Sequence, residues 1–396
     1  MAYFINIQLS LKLMLSIALY IHIPWCIKKC PYCDFNSHQS TSSLEVLRTE
    51  KRYLQALLTD LAHDLHQFSQ PTVISSIFIG GGTPSLMSGE FYAELFTNIQ
   101  KKIAFIPNVE ITLEANPGAI DQTYFSEYLQ AGINRLSLGV QSFNINHLKQ
   151  LGRIHCDKQA HQAIKLARQA GFVNINIDLM HGLPQQTPQE ALTDLSIGIA
   201  CAVEHISWYQ LTIEPNTIFY KTRPLLPSND VCADIERDGH VMLDRSGFKR
   251  YEISAFSKPQ YQSQHNLNYW LFGDYLGIGA GAHGKITQYP DYAIYRTRKH
   301  RQPETYLQAN TAFLVSNDLL DIESICFEFM LNCTRLQQKI PFSWFFKRTG
   351  LPFAKLLPKL TIAQDKNFIY MDQNSWQITD FGRRFTNDLQ ELFLPG

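Results

Sequence analysis

The sequence predicts an α/β fold: a partial (β/α)6 barrel of the TIM type, followed by a mainly helical C-terminal module of winged-helix character. Three observations predict it. Short apolar runs rich in β-branched residues recur six times before residue 215, stretches with apolar positions three and four apart separate them, and polar or glycine-rich segments directly follow each run. In a parallel barrel all strand C-termini open on one rim, so those segments converge on a single cleft.

The apolar runs at 17–23, 73–79, 109–115, 133–140, 173–180 and 206–212 are the expected strands. Between them, 44–68, 91–103, 122–131, 158–170 and 190–200 carry the stripe that a crossover helix buries against a sheet. The rim segments are Pro24-Trp25-Cys26, Gly80-Gly81-Gly82-Thr83, Glu114-Ala115-Asn116, Gly139-Val140-Gln141, Asp178-Leu179-Met180-His181 and Gln210-Leu211-Thr212. After about residue 225 the alternation fades into a loop and a helix around 235–243, and 261–284 is aromatic and glycine-rich with no clean period. From about 317 the pattern is helical again and closes on a hairpin, 368–371 and 376–379 around a turn. The expected division is an N-terminal extension over 1–16, with Met14 as an alternative start, the barrel over 17–225, a connecting segment over 226–310 and the helical module over 311–396.

Composition narrows the function. The chain has 396 residues, 45% of them apolar and 18% charged, which is ample for a packed core. Lys plus Arg and Asp plus Glu are each 35, so the basic excess of a nucleic-acid binder is missing, and the C-terminal module reads as a packing lid for the barrel. No apolar stretch reaches the roughly 18 to 20 residues of a membrane span. The N-terminus has no basic region and no small-residue cleavage site, so no signal peptide is expected.

Eight cysteines are present, and Cys26, Cys30 and Cys33 fall within eight residues, a clustering that points to an intracellular metal site. Three thiolates so spaced hold three irons of a [4Fe–4S] cubane and leave the fourth without a protein ligand, free to be chelated by a small molecule. The alternative is zinc, with His22 or His38 completing four ligands. Cys156, Cys201, Cys232, Cys326 and Cys333 show no ligand spacing and read as free buried thiols.

Tyr20-Ile21-His22-Ile23-Pro24-Trp25-Cys26, continuing to Cys30-Pro31-Tyr32-Cys33 and followed by Gly80–Gly82, resembles the radical S-adenosylmethionine superfamily. The resemblance implies a barrel of that superfamily's type. It also implies a cofactor pair: a [4Fe–4S] cluster on Cys26, Cys30 and Cys33, and S-adenosylmethionine chelating the open iron, from which an electron releases a 5′-deoxyadenosyl radical. From Tyr20 onward the chain is similar to the coproporphyrinogen dehydrogenase-like group. That resemblance implies that Tyr20 and Tyr32 flank the bound methionine moiety and that Gly81, Gly82 and Thr83 take its amino group. Glu114, Gln141, Arg153 and Asp178 match the positions for the carboxylate, ribose and adenine. Each residue also has a plainer reading: a tight turn for the glycines, helix caps for Glu114 and Asp178, a solvated face for Gln141 and Arg153.

The group has two branches, one decarboxylating coproporphyrinogen III and one a haem chaperone. In the first, a further cysteine stands where this chain has Phe35, and a long segment precedes the tyrosine, whereas only 19 residues precede Tyr20. The tract His265-Asn266-Leu267-Asn268-Tyr269-Trp270 resembles the chaperone signature, which implies His265 as a haem ligand, with Tyr269 and Trp270 as flat apolar surface. Read alone, His265 is more readily a loop histidine bonded to backbone; inside the signature the two readings balance. His283, in a glycine-rich tract, is the second candidate. The expectation is thus a haem chaperone, its enzymatic status open, with the dehydrogenase and a zinc-stabilised interaction module as alternatives. Its partners would be haem and haem-acceptor proteins, membrane-bound ones included, with no nucleic acid; a homodimer is allowed. Its place would be the cytoplasm, with peripheral contact at the inner membrane face.

Overall fold

The computed structural model describes residues 14–40, 42–68, 70–118 and 124–396. The extension expected over 1–16 lies outside them up to residue 13, while Leu15 and Ser16 already belong to the first strand.

All six expected strands form: β1 (Leu15–Ile23), β2 (Thr72–Gly81), β3 (Ala104–Ala115), β4 (Arg135–Gln141), β5 (Ile175–His181) and β6 (His205–Gln210). Each pairs in parallel with the next. The helices that return the chain are α1 (Ser43–Leu65), α2 (Gly89–Gln100), α3 (Phe125–Ala131), α4 (Asp157–Ala170) and α5 (Pro188–Ala200). Residues 122 and 123 of the expected third helix lie outside the described residues. Local chemistry sets the helix ends. Thr187 and Glu190 form a capping box ahead of Pro188, and Gly132 and Gly171 stop α3 and α4 in the left-handed conformation.

Register explains the layering. Ile21, Ile79, Leu113, Leu136 and Ile175 lie in one row across five strands, all buried, and pack toward the helices. The neighbouring row, Tyr20, Phe78, Thr112 and Arg135, points the other way, into the barrel, because side chains alternate along a strand.

The sheet does not stop at six strands. It continues through β7 (Lys249–Arg250), β8 (Ala255–Ser257), β9 (Tyr275–Ile278), β10 (His283–Gln288), β11 (Ala293–Lys299) and β12 (Leu314–Leu319), in the order β12-β11-β10-β9-β1-β2-β3-β4-β5-β6-β8-β7. Residues 226–310 thus contribute strands at both sides of the barrel, together with α6 (Asn229–Arg245) and α7 (Gln264–Trp270). β9 runs parallel to β1 along Ala18–Ile21 and β8 antiparallel to β6 along His205–Ser207, so both outer strands of the six-stranded barrel gain a neighbour. Strand β9 escapes a pattern reading because it is four residues long and glycine-flanked; a Cβ on Gly277 would lie 1.9 Å from the carbonyl oxygen of His283.

The C-terminal module has its own apolar core, built from Phe329, Phe345, Leu360 and Trp376 among others. The expected hairpin is present as Ile369–Met371 paired with Ser375–Ile378, and Ile340–Pro341 adds a third strand. Among the described residues no helix is long and apolar enough to cross a membrane.

Candidate functional site

The strand ends and the loop after β1 enclose a cavity of about 470 Å³. The loop is pinned to β2 by two backbone bonds, Gly82 N–H to Ile23 O and Thr83 N–H to Trp25 O, each 2.7 Å. That closeness needs glycine: a Cβ on Gly82 would lie 2.5 Å from the Trp25 oxygen, and Gly81, at φ +111°, would drive one into the His22 ring. The loop also closes on itself, Trp25–Cys26 pairing with His38–Gln39 and Cys33 N–H reaching Cys30 O at 3.2 Å.

Cys26, Cys30 and Cys33 all line this cavity. Thr83 Oγ1 donates to Cys26 Sγ at 3.4 Å and Arg153 Nη1 to Cys30 Sγ at 3.7 Å. Burial pushes the Cys26 and Cys33 thiols up, against hydrogen bonds to Thr83 and Ser37 for Cys26 and to Phe35 backbone and Ser37 for Cys33. Among the described residues no three His, Cys, Asp or Glu side chains gather as one mononuclear ion requires. Three thiols on one cavity wall suit instead a polynuclear cluster in which each iron takes its own sulfur. The histidines that could have completed a zinc site are engaged elsewhere: His22 by Tyr20 hydroxyl (3.0 Å) and Asn36 carbonyl (2.8 Å), His38 by Arg301 carbonyl (3.1 Å).

Opposite the thiols the wall is polar and buried. Glu114, at the end of β3, accepts from Gly81 N–H at 3.2 Å, and burial, with Asp178 nearby, pushes its carboxyl up to about 8. Burial also raises Asp178, against hydrogen bonds from Asn176, Ser207 and Ser137. Arg153 donates to Gly139 O at 2.7 Å and to Asn116 Oδ1, and Tyr209 hydroxyl donates to Gln141 Oε1 at 2.8 Å. Gln141 holds φ +69° at a break in the β4–β5 register, which turns its side chain into the cavity mouth. Glu114, which has no cation beside it, together with Asp178 and the guanidinium groups of Arg135 and Arg153, fits a ligand carrying both an ammonium and a carboxylate.

Of the thirteen expected site residues, eleven share this cavity: the three cysteines, Tyr32, Gly81, Gly82, Thr83, Glu114, Gln141, Arg153 and Asp178. Tyr20 faces a second cavity beyond Gly81 and Glu114, with its ring stacked near Phe78. His265 does not reach solvent. It starts α7, wholly buried, with Nδ1 3.1 Å from Ser76 Oγ and Nε2 2.9 Å from Tyr269 hydroxyl. A haem iron needs a free ring nitrogen, so in this arrangement His265 is a tie between β2 and α7 and not a presented ligand. Trp270 likewise packs on the C-terminal core with Arg335 over its ring. Of the remaining cysteines, Cys232, Cys326 and Cys333 are buried as expected, whereas Cys156 and Cys201 are partly exposed.

The sequence reading missed Arg135, Ser137, Asn176, Ser207 and Tyr209, all on the cavity wall, and placed Asn116 on the rim without a role. A signal was present. In Arg135-Leu-Ser137-Leu-Gly139-Val-Gln141 every second residue is polar or glycine, within a strand whose other face is wholly apolar and buried. Such alternation marks the interior face of a barrel strand.

Comparison with known proteins agrees with this geometry. A model of the Radical SAM superfamily matches residues 20–195 and one of the HemN C-terminal domain matches 320–385. The Haemophilus influenzae protein named heme chaperone HemW is 48% identical over 381 residues, 96% of this chain and 98% of that one. The chain belongs to the HemW family of the radical S-adenosylmethionine superfamily. The Escherichia coli heme chaperone HemW is 46% identical over 378 residues, again 96% and 98% of the two chains. In structure, the HemW-family chain overlays Escherichia coli coproporphyrinogen III oxidase, HemN, with a TM-score of 0.79 over 96% of this chain and 90% of the other, at 23% identity, which shows a shared fold. Superfamily membership implies a [4Fe–4S] cluster and S-adenosylmethionine, and the three-thiol cavity with its zwitterion-matched wall fits both.

Proposed function

We propose that this protein is a haem chaperone that binds haem and passes it to haem-dependent acceptor proteins, membrane-bound respiratory ones among them, while holding a [4Fe–4S] cluster and S-adenosylmethionine. Cys26, Cys30 and Cys33 would bind three irons. Glu114 and Thr83, set against the close backbone of Gly81 and Gly82, would accept from the ligand's ammonium; Arg153, Gln141 and Asp178 would receive its carboxylate and nucleoside. When bound, the cluster supplies an electron, and the walls position the cofactor and exclude water.

One observation carries the chaperone reading over the decarboxylase: near-full-length identity of 48% and 46% to proteins named heme chaperones, against 23% to the oxidase of like fold. Phe35 agrees with it. Where the decarboxylating branch has another thiol, this chain puts an apolar ring, 59% exposed, at the cavity mouth. We place the protein in the cytoplasm, its membrane contact made through the acceptor. The test is anaerobic incubation of the reconstituted, reduced protein with coproporphyrinogen III and S-adenosylmethionine, alongside haem transfer to a haem-free acceptor. Haem transfer without decarboxylation is expected; formation of protoporphyrinogen overturns the assignment.

A further inference from the structure

The thiol loop is held from outside the six-stranded barrel. Its far end, Asn36, lies against the sheet extension, and the side-chain amide is fully engaged there. Nδ2 donates to Ala280 O and to Arg301 O, each at 2.9 Å, and Oδ1 accepts from Arg301 Nε at 3.4 Å. The Asn36 carbonyl accepts from His22 Nε2 at 2.8 Å, and His38, two residues on, bonds the same Arg301 oxygen at 3.1 Å. Between them, Ser37 Oγ reaches back to Cys33 Sγ at 3.9 Å. We propose that Asn36 and Lys299 are positioning residues for the metal cluster: Asn36 is the point at which the sheet extension grips the thiol loop, and the buried ion pairs of Lys299 fix the two segments that do the gripping. The proposal rests on the cluster reading of the thiol cavity and extends it to residues beyond the cysteines and the polar wall.

The gripping segments are the turn over 279–282 and the end of β11, joined to each other by Gly281 N–H to His300 O at 2.8 Å and Lys299 N–H to Ala282 O at 2.9 Å. The turn is shaped for Asn36: a Cβ on Gly281, which sits at φ +85°, would lie 2.2 Å from Asn36 Nδ2. Behind the turn, Lys299 is wholly buried between two carboxylates of α1, with Nζ 2.5 Å from Asp60 Oδ1 and 2.7 Å from Asp64 Oδ1. The other oxygen of Asp60 accepts from Gly279 N–H at 3.3 Å and from the hydroxyl of Tyr306 at 2.6 Å. Tyr53, also on α1, accepts from Ala280 N–H at 3.0 Å and donates to His22 O at 2.7 Å. Helix α1, the end of β1, the glycine turn and β11 therefore meet at one buried charged group. Charges buried in this way stabilise no better than apolar side chains of the same volume would, and Asp64 Oδ2 is buried without a hydrogen-bond partner among the described residues. What the charged group supplies is direction. Apolar surfaces slide over one another, whereas this set of bonds admits a single placement of the turn against β11, and so a single placement of the two carbonyls that receive Asn36.

In the test, full-length protein reconstituted anaerobically with iron and sulfide is challenged with an iron chelator, and cluster loss is followed by visible absorbance. Electron paramagnetic resonance of the reduced samples is recorded with and without S-adenosylmethionine, and melting temperatures are taken on the cofactor-free proteins. Asn36→Ala and Lys299→Met should release iron about tenfold faster than wild type, the size of effect that outer residues of a metal site carry, and the change that S-adenosylmethionine makes in the resonance should broaden. Asn36→Asp keeps the shape but offers no donor to the two carbonyls, and should behave as Asn36→Ala does. Lys285→Met removes another buried lysine, paired with Asp274 at 2.8 Å and bonded to no residue of the thiol loop; it should lower the melting temperature and leave release rate and spectrum as in wild type. Wild-type release and spectrum in Asn36→Ala overturn the grip, and the two Asn36 variants decide that point even where Lys299→Met does not fold. Release in Lys285→Met as fast as in Lys299→Met shows general loosening and overturns the role of Lys299. Failure of the wild-type protein to assemble a cluster overturns the cluster reading as well.

Discussion

Glu114 is the residue on which the electrostatics of the cavity turn. Its carboxyl is buried among other acceptors with no cation beside it, and it is shifted from the ordinary 4.5 up to about 8. The folded state therefore holds a proton that the unfolded chain has released above pH 4.5. Stability from this group is complete below 4.5, declines as pH rises, and is gone above about 8, the folded value. Glu114→Gln should flatten the fall in melting temperature of the cofactor-free protein between those limits. It should also weaken S-adenosylmethionine binding, since the ligand's ammonium then meets no carboxylate; equal melting profiles for both proteins would contradict this account. At this scale the cysteine spacing was legible because it is a local, covalent fact of the chain. Arg135 and Asn176 were missed, although the polar alternation of β4 was there to be read, because their role depends on the barrel closing and bringing the strands to one lumen.

Among the elements, α7 shows how a tract can be readable in sequence and still mislead about its task. Glu110 caps it, accepting from Gln264 and His265 N–H at 2.9 and 3.2 Å, and Asn268 Nδ2 donates to Asp274 O at 2.9 Å. One side of the helix meets the barrel through His265 and Ser76; the other meets the C-terminal core through Leu267 and Trp270. The helix thus joins the two cores. His265→Ala strands the buried hydroxyl of Ser76, takes from the half-buried Tyr269 hydroxyl its partner, and should cost about 1–3 kcal/mol in denaturant unfolding; an unchanged midpoint would show that the histidine bears no structural load. The parallel strands were legible from their short apolar runs, each followed by a polar or glycine-rich segment. The strands from β9 to β12 were not: they are antiparallel apart from the β1–β9 pair, carry Lys285, Arg296 and Arg298, and pack through glycines that leave no period to detect.

For the molecule as a whole, the plan is a barrel whose rim holds one cavity for the cluster and its ligand and, alongside, a second floored by the sheet extension. The predicted barrel and helical tail could be read because both follow from periodicity in contiguous segments. The adjacency of the two cavities could not, for it depends on β9 returning from residue 275 to lie against β1. The measurement that tests the central claim most directly is Mössbauer spectroscopy of anaerobically reconstituted, iron-57-labelled protein with and without S-adenosylmethionine. The account predicts about four irons per chain as one cubane, with a single site altered when S-adenosylmethionine is added and no cluster in Cys30→Ser. A spectrum that the added cofactor does not change, or a metal bound wholly by protein side chains, would contradict it.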